Sequence, residues 1–194
     1  IEAFKSQMKK EFKMSDLGLL SFYLGIEVKQ GPNGTTLSQS AYARKILEKR
    51  QMENCNPSPT SMEQRLKIRK VSDAPLFDST YYRSIVGSLR YLVHTRPDIC
   101  YAVGIVSRFM ERPTSEHMAA VRHILRYVRG TLDLGCMYKK GGNGKLIGYS
   151  NSDHAGDLDT RKSTSGVLFY LGENPVSWSS QKQKIVTLSS CEAE

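Results

Sequence analysis

The run TSEHMAAVRHILRYVRGTLDLGCMYKKGGNGKLIGYS, residues 114–150, decides the fold class, because two periodicities meet inside it. Up to Thr131 the apolar residues Met118, Val121, Leu125 and Val128 recur at steps of three and four, which is the spacing of an amphipathic helix. Thr114 stands at the N-cap position and Glu116 in the first turn. After Leu132 the character changes. Leu134 to Tyr138 and Leu146 to Ser150 are β-rich, and the turn Gly141-Gly142-Asn143-Gly144 lies between them. Helices followed by strands predict an α+β fold.

Working toward the N-terminus, residues 79–131 read as three helices. Thr95-Arg96-Pro97-Asp98 offers a cap, an early proline and an acid before the periodic Ile99, Ala102, Val103, Val106, Phe109 and Met110. Residues 54–78, with Pro57, Pro59 and Pro75 and little periodicity, predict a linker. Before it, Tyr23 to Val28, the turn Gly31-Pro32-Asn33-Gly34 and Thr35 to Leu37 predict a β-hairpin, with Ser38 or Ser40 capping the helix that follows. Ile1, Phe4, Met8 and Phe12 are in helical register with no cap ahead of them, so a helix beginning upstream is expected. Toward the C-terminus, Val167 to Leu171 and Val176 to Ser179 add strands. Ser189-Ser190-Cys191-Glu192 has the form of a capping box that opens a final helix.

The 194 residues carry 28 Lys and Arg against 19 Asp and Glu, a net +9 that favours a polyanionic partner. Between Ser79 and Thr131 there are eight arginines, no lysine and three acids. Arg122, Arg126 and Arg129 form a stripe about 90° around their helix from its apolar face, at 100° per residue. Such a stripe can follow a phosphate backbone, or it can simply be a solvated face. Cys55, Cys100, Cys136 and Cys191 are widely spread, and His94, His117, His123 and His154 lack ligand spacing, so neither a disulfide frame nor a zinc site is expected. No apolar run reaches the ~20 residues of a membrane span. The carboxylates Asp153, Asp157 and Asp159 after a strand, with Glu192 and Glu194 in the last helix, are the candidates for oxygen coordination of Mg²⁺; Asp157 and Asp159 are equally good loop residues.

The runs FKMSDLGLLSFYLGIEV, YYRSIVGSLRYLVHTRPDICYAVGIVSRFMERPTSEH, ILRYVRGT, GYSNSDHAGDLDTRKSTSG and VSWSSQKQKIVTLSSCEAE together resemble the Pol polyprotein of copia-type LTR retrotransposons, where reverse transcriptase joins ribonuclease H. The resemblance implies four parts. Residues 1–53 would end the polymerase palm with a primer-grip-like hairpin containing Gly25; 54–78 would be a linker; 79–131 would be thumb or connection helices. Residues 132–194 would be a partial RNase H-like mixed sheet. It further implies an RNA/DNA hybrid and the rest of the polyprotein as partners, no membrane, Mg²⁺ as the family's cofactor, and an intracellular setting in a cytoplasmic virus-like particle. Arg122, Arg126, Arg129 and Gly25 become the expected nucleic-acid contacts.

The family's strand-end pattern is Tyr-Ser-Asp-x-Asp, and this chain reads Tyr149-Ser150-Asn151-Ser152-Asp153. Asn151 therefore stands where the family has its metal-bridging aspartate. Asp153 lies about 6.6 Å further along the strand, at ~3.3 Å per residue. Glu194 matches the helical catalytic glutamate, and with Asp153 it completes the expected metal donors. The chain is accordingly expected to bind a hybrid while being catalytically incomplete alone; the alternative is active metal-dependent hydrolysis of hybrid RNA within a longer polyprotein.

Overall fold

A computed structural model describes residues 1–64 and 66–194. The first helix, α1 (Glu2–Glu11), buries none of its residues, and Phe4 and Phe12 face solvent. Next come β1 (Phe22–Tyr23), β2 (Ile26–Gly31) and β3 (Gly34–Ser38), antiparallel in that order. The β1–β2 turn places Leu24 at φ 48° and Gly25 at φ 82°, both left-handed as a tight hairpin turn of matching twist requires. Tyr91 fixes this turn: its hydroxyl donates to the Leu24 carbonyl. A Cβ added at Gly25 would meet the Tyr91 hydroxyl at 3.0 Å.

The next helix, α2 (Ser40–Lys49), is capped from outside its own segment. Neither Ser38 nor Ser40 caps it; instead Glu27 on β2 accepts the Ala41 N–H at 2.7 Å, a cross-element bond that local reading cannot supply. Three helices follow after residue 78: α3 (Ser79–Leu92), α4 (Cys100–Val106) and α5 (Ser115–Gly130). Asp78 caps α3 by accepting from the amides of Thr80 and Tyr81. The expected Thr95 cap is absent, because the Thr95 hydroxyl donates to Gln39 at 2.9 Å and Pro97–Ile99 forms a 3-10 turn before α4. Thr114 does cap α5, with Glu116 in its first turn and His117 closing a capping box. Its Nδ1 accepts the Thr114 N–H at 2.9 Å while Nε2 donates to the Arg69 carbonyl.

Helices α2 to α5 share one core. Ile85, Val86, Leu89, Ile99, Val106, Val121, Ile124, Leu125 and Val128 are fully buried in it, including three of the four residues read as the apolar face of α5. Full burial of such a side chain contributes about 1.5–3 kcal/mol, so this cluster dominates the fold's cohesion.

The strands after α5 part company. The expectation of one mixed sheet is corrected to two antiparallel sheets: β4 (Gly135–Lys139) joins β3, giving the order β1-β2-β3-β4, and β5 (Leu146–Ser152), β6 (Thr164–Leu171) and β7 (Asn174–Lys182) form a separate three-stranded sheet. The reason is register. From Gly34↔Lys139 to Ser38↔Gly135, β4 completes the ladder of β3, and Gly34 and Gly135 admit the close approach, since a Cβ at either would lie within 2.2 Å of a partner carbonyl oxygen. Asn174 bridges the sheets, accepting the Lys139 N–H at 2.7 Å and donating back to the Lys139 carbonyl. A last turn, α6 (Ser190–Ala193), is capped by Ser189 through the Glu192 amide, as the capping-box spacing predicts.

Candidate functional site

Most of the residues singled out by sequence lie on the face of α5 and in or beside the β5–β7 sheet; Gly25 lies in the β1–β2 turn and Glu194 follows α6. On α5, Arg122 and Arg126 are exposed and Arg129 is half-buried. The stripe is partly engaged within the chain. Arg126 donates its Nε to the Asn56 carbonyl at 2.8 Å, and Arg129 donates its Nε to the Glu53 carbonyl, so these two side chains strap the 53–56 segment onto the helix. His123 binds the same loop through Ser58 and the Thr60 carbonyl, each at 3.0 Å. Arg122 and Arg126 line an open groove between α5 and the stretch that carries Met52, Met62 and Ile68. Arg83 and Arg96 are local partners. Arg83 bonds Ser79, and the fully buried Arg96 forks onto Asp98 and Thr131.

The β5–β7 sheet is clamped to the helices by a buried carboxylate that the sequence left open between a Mg²⁺ donor and a loop residue. Asp157 accepts from Arg108 at 3.3 Å and Lys182 at 3.0 Å, while its other oxygen takes the Thr160 amide and hydroxyl. Burial alone would raise its pKa. The Thr160 hydrogen bonds and the Lys182 ammonium outweigh that and bring it down to about 2. Arg108 also donates to Thr164, and the indole N–H of Trp178 donates to the Val93 carbonyl at 3.0 Å.

Antiparallel partners share a sheet face, so Asn151 stands in a row with Gly166 and Ser180. This row faces α4, where the Ser180 carbonyl lies 3.3 Å from the position of a Cβ on Gly104. Ser152, Ser165 and Gln183 occupy the opposite face, and there Gln183 Nε2 donates to the Ala193 carbonyl at 2.6 Å. The structure thus sets Asn151 and α6, which leads into Glu194, against different faces. Asp153 is taken up by its own loop: one carboxylate oxygen accepts the Thr164 N–H at 2.8 Å and the Gly156 N–H at 3.3 Å. Among the described residues no three His, Cys, Asp or Glu side chains converge as metal ligands. An amide, a carboxylate held by backbone N–H groups and a glutamate beyond the other face do not fit a seat for paired Mg²⁺, which favours convergent anionic oxygens. Gly25, the remaining candidate, is closed against Tyr91.

A four-stranded antiparallel sheet, tied to α2 by Glu27 and followed by a helical layer rich in arginine, accompanies a clear sequence relationship: residues 1–64 match the family described as reverse transcriptase (RNA-dependent DNA polymerase). This segment is of the reverse-transcriptase class. Over most of its length the chain is similar to the retrovirus-related Pol polyprotein from transposon RE1 of Arabidopsis thaliana, 46% identical over 187 residues, 96% of this chain and 13% of that protein. The Pol polyprotein from transposon TNT 1-94 of Nicotiana tabacum is 41% identical over 203 residues, covering 100% of this chain and 15% of its own length. An uncharacterized mitochondrial protein of Arabidopsis thaliana is 42% identical over 188 residues, 97% of this chain and 78% of that protein. No solved structure matches. The chain belongs to the copia-type retrotransposon Pol polyprotein family, and it spans 13% to 15% of the length of the Pol polyproteins named here.

Proposed function

We propose that this chain is a nucleic-acid-holding segment of a reverse transcriptase and ribonuclease H polyprotein, gripping an RNA/DNA hybrid without cleaving it alone. The observation that carries the reading is the exposed arginine face of α5, within a chain of net +9, on a helix that packs directly against the segment that matches reverse transcriptase. Arginine forks neutralise phosphates, and each such contact releases counterions. Asn151, Glu194 and Asp153 are then inherited positions of an RNase H-like site rather than a working metal centre. In the family's cytoplasmic particle, the rest of the polyprotein would supply the chemistry.

The competing reading is metal-dependent hydrolysis of the RNA strand. One preparation tests both. A labelled RNA/DNA hybrid should bind with salt-dependent affinity and stay intact in Mg²⁺. Arg122→Ala and Arg126→Ala should each lower the slope of log affinity against log salt by about 1. Sustained cleavage would overturn the binding-only reading, and an unchanged slope in the double variant would return the arginines to a solvated face.

A further inference from the structure

On the face of the β5–β7 sheet that carries Asn151, a cleft of about 550 Å³ opens between the sheet and α4. Tyr149, Leu168 and Trp178 form one cross-strand row along its floor, and Asn151, Gly166 and Ser180 form the next. Tyr101 of α4 closes the opposite side. Tyr101 and Tyr149 are 49% and 61% exposed, an open arrangement for two large rings facing one space. The floor is bare at Gly166, where a Cβ would find its nearest neighbour, the Asn151 carbonyl oxygen, 3.8 Å away.

The chemistry of this cleft is specific. The N–H of Trp178 is committed to Val93, so the indole offers its π surface rather than a donor. The exposed Asn151 amide, which has no hydrogen-bond partner among the described residues, presents one acceptor and two donors. Flat aromatic surfaces beside one amide suit a planar heterocycle whose edge carries both donors and acceptors. Trp178 also borders a second groove lined by Arg90 and His94, where a flanking phosphate would meet positive charge. Bases inside a duplex are stacked and paired and cannot enter.

We propose that this cleft holds one unpaired nucleobase of a single-stranded nucleic acid, stacked on the tyrosine and tryptophan rings with its edge against Asn151. The proposal rests on the nucleic-acid reading above and adds to it a second, single-strand site on another surface.

Trp178 is the only tryptophan, so its fluorescence reports on this cleft directly. The whole chain is titrated with a short oligothymidylate, an abasic strand of equal length and a blunt RNA/DNA hybrid, and binding is followed in parallel by anisotropy. Saturable quenching is expected from the oligothymidylate alone. Gly166→Val fills the floor with a side chain that strands accept, and Tyr101→Ala removes one ring. Each should weaken the quenching titration about 5-fold or more while leaving hybrid binding unchanged. Equal quenching by the abasic strand, or unaltered affinity in both variants, overturns the site. Salt-dependent hybrid binding without quenching by any single strand refutes the cleft and leaves the broader reading standing; binding of no nucleic acid refutes both.

Discussion

Asp157 shows how much of this molecule's architecture depends on single residues. Its carboxylate ties Arg108, after α4, to Lys182 on β7 and organises the intervening loop through Thr160. The sign of its pH effect follows from the direction of the shift. The folded pKa, about 2, lies below the usual 3.8, so the stabilisation is complete above pH 4 and disappears as the pH falls from 3.8 through 2. The difference corresponds to about 2 kcal/mol. Urea midpoints of the wild type and Asp157→Asn should accordingly differ most above pH 4 and converge near pH 2; a gap that persists at pH 2 would show that packing, not charge, holds this junction. His117 acts in the same direction at higher pH. Burial against Phe109, whose ring lies 4.0 Å away, lowers its pKa, so its contribution weakens as the pH falls below 6.5.

At the scale of elements, α3 to α5 and the β5–β7 sheet differ in what holds them. Five side chains of α3 and seven of α5 are buried, whereas no buried apolar residue comes from β5, β6 or β7 among the described residues. Backbone amides of that sheet should exchange with deuterium about tenfold faster, or more, than those of α3 and α5. Equal protection would mean the two layers unfold as one unit. The same contrast explains what could be read from sequence. Helices with a 3.6-residue period, the β2–β3 hairpin and the Thr114 and Ser189 caps were legible because their signals are local. Glu27 as a cap, Asp157 as a clamp and the loop carbonyls that engage Arg126 and Arg129 were not, because each depends on a partner brought near only by folding. The arginine stripe itself was visible, and its partial use as a strap was hidden in a loop without period. The aromatic cleft escaped for a similar reason: Tyr101, Tyr149 and Trp178 come from three separate elements.

Across the whole molecule, exposed apolar side chains gather in the N-terminal segment. Leu17 is 94% exposed and Leu19 76%, and Phe12, Leu20, Phe22 and Leu24 are also open to solvent. A concentration of this kind favours association. Sedimentation velocity on the chain should show a mass that rises with concentration. A Leu17→Ser, Leu19→Ser double variant should suppress that rise while changing stability by no more than about 0.5 kcal/mol per site. Concentration-independent monomers in the wild type would show that this surface is inert. No helix among the described residues is long and apolar enough to cross a membrane, so this apolar surface is not a helical span.

The pairing of β3 with β4 also sets a timetable for synthesis. Thr36 and Met137, whose side chains touch, are 101 positions apart in the chain. At ~5–20 residues per second, a ribosome needs about 5–20 s to deliver the second strand after the first. During that interval the nascent hairpin has one unzipped border, and the helices made in between fold beside it. Slowing translation across residues 40–134 would lengthen this vulnerable period, whereas a circular permutant that begins with β4 would remove it.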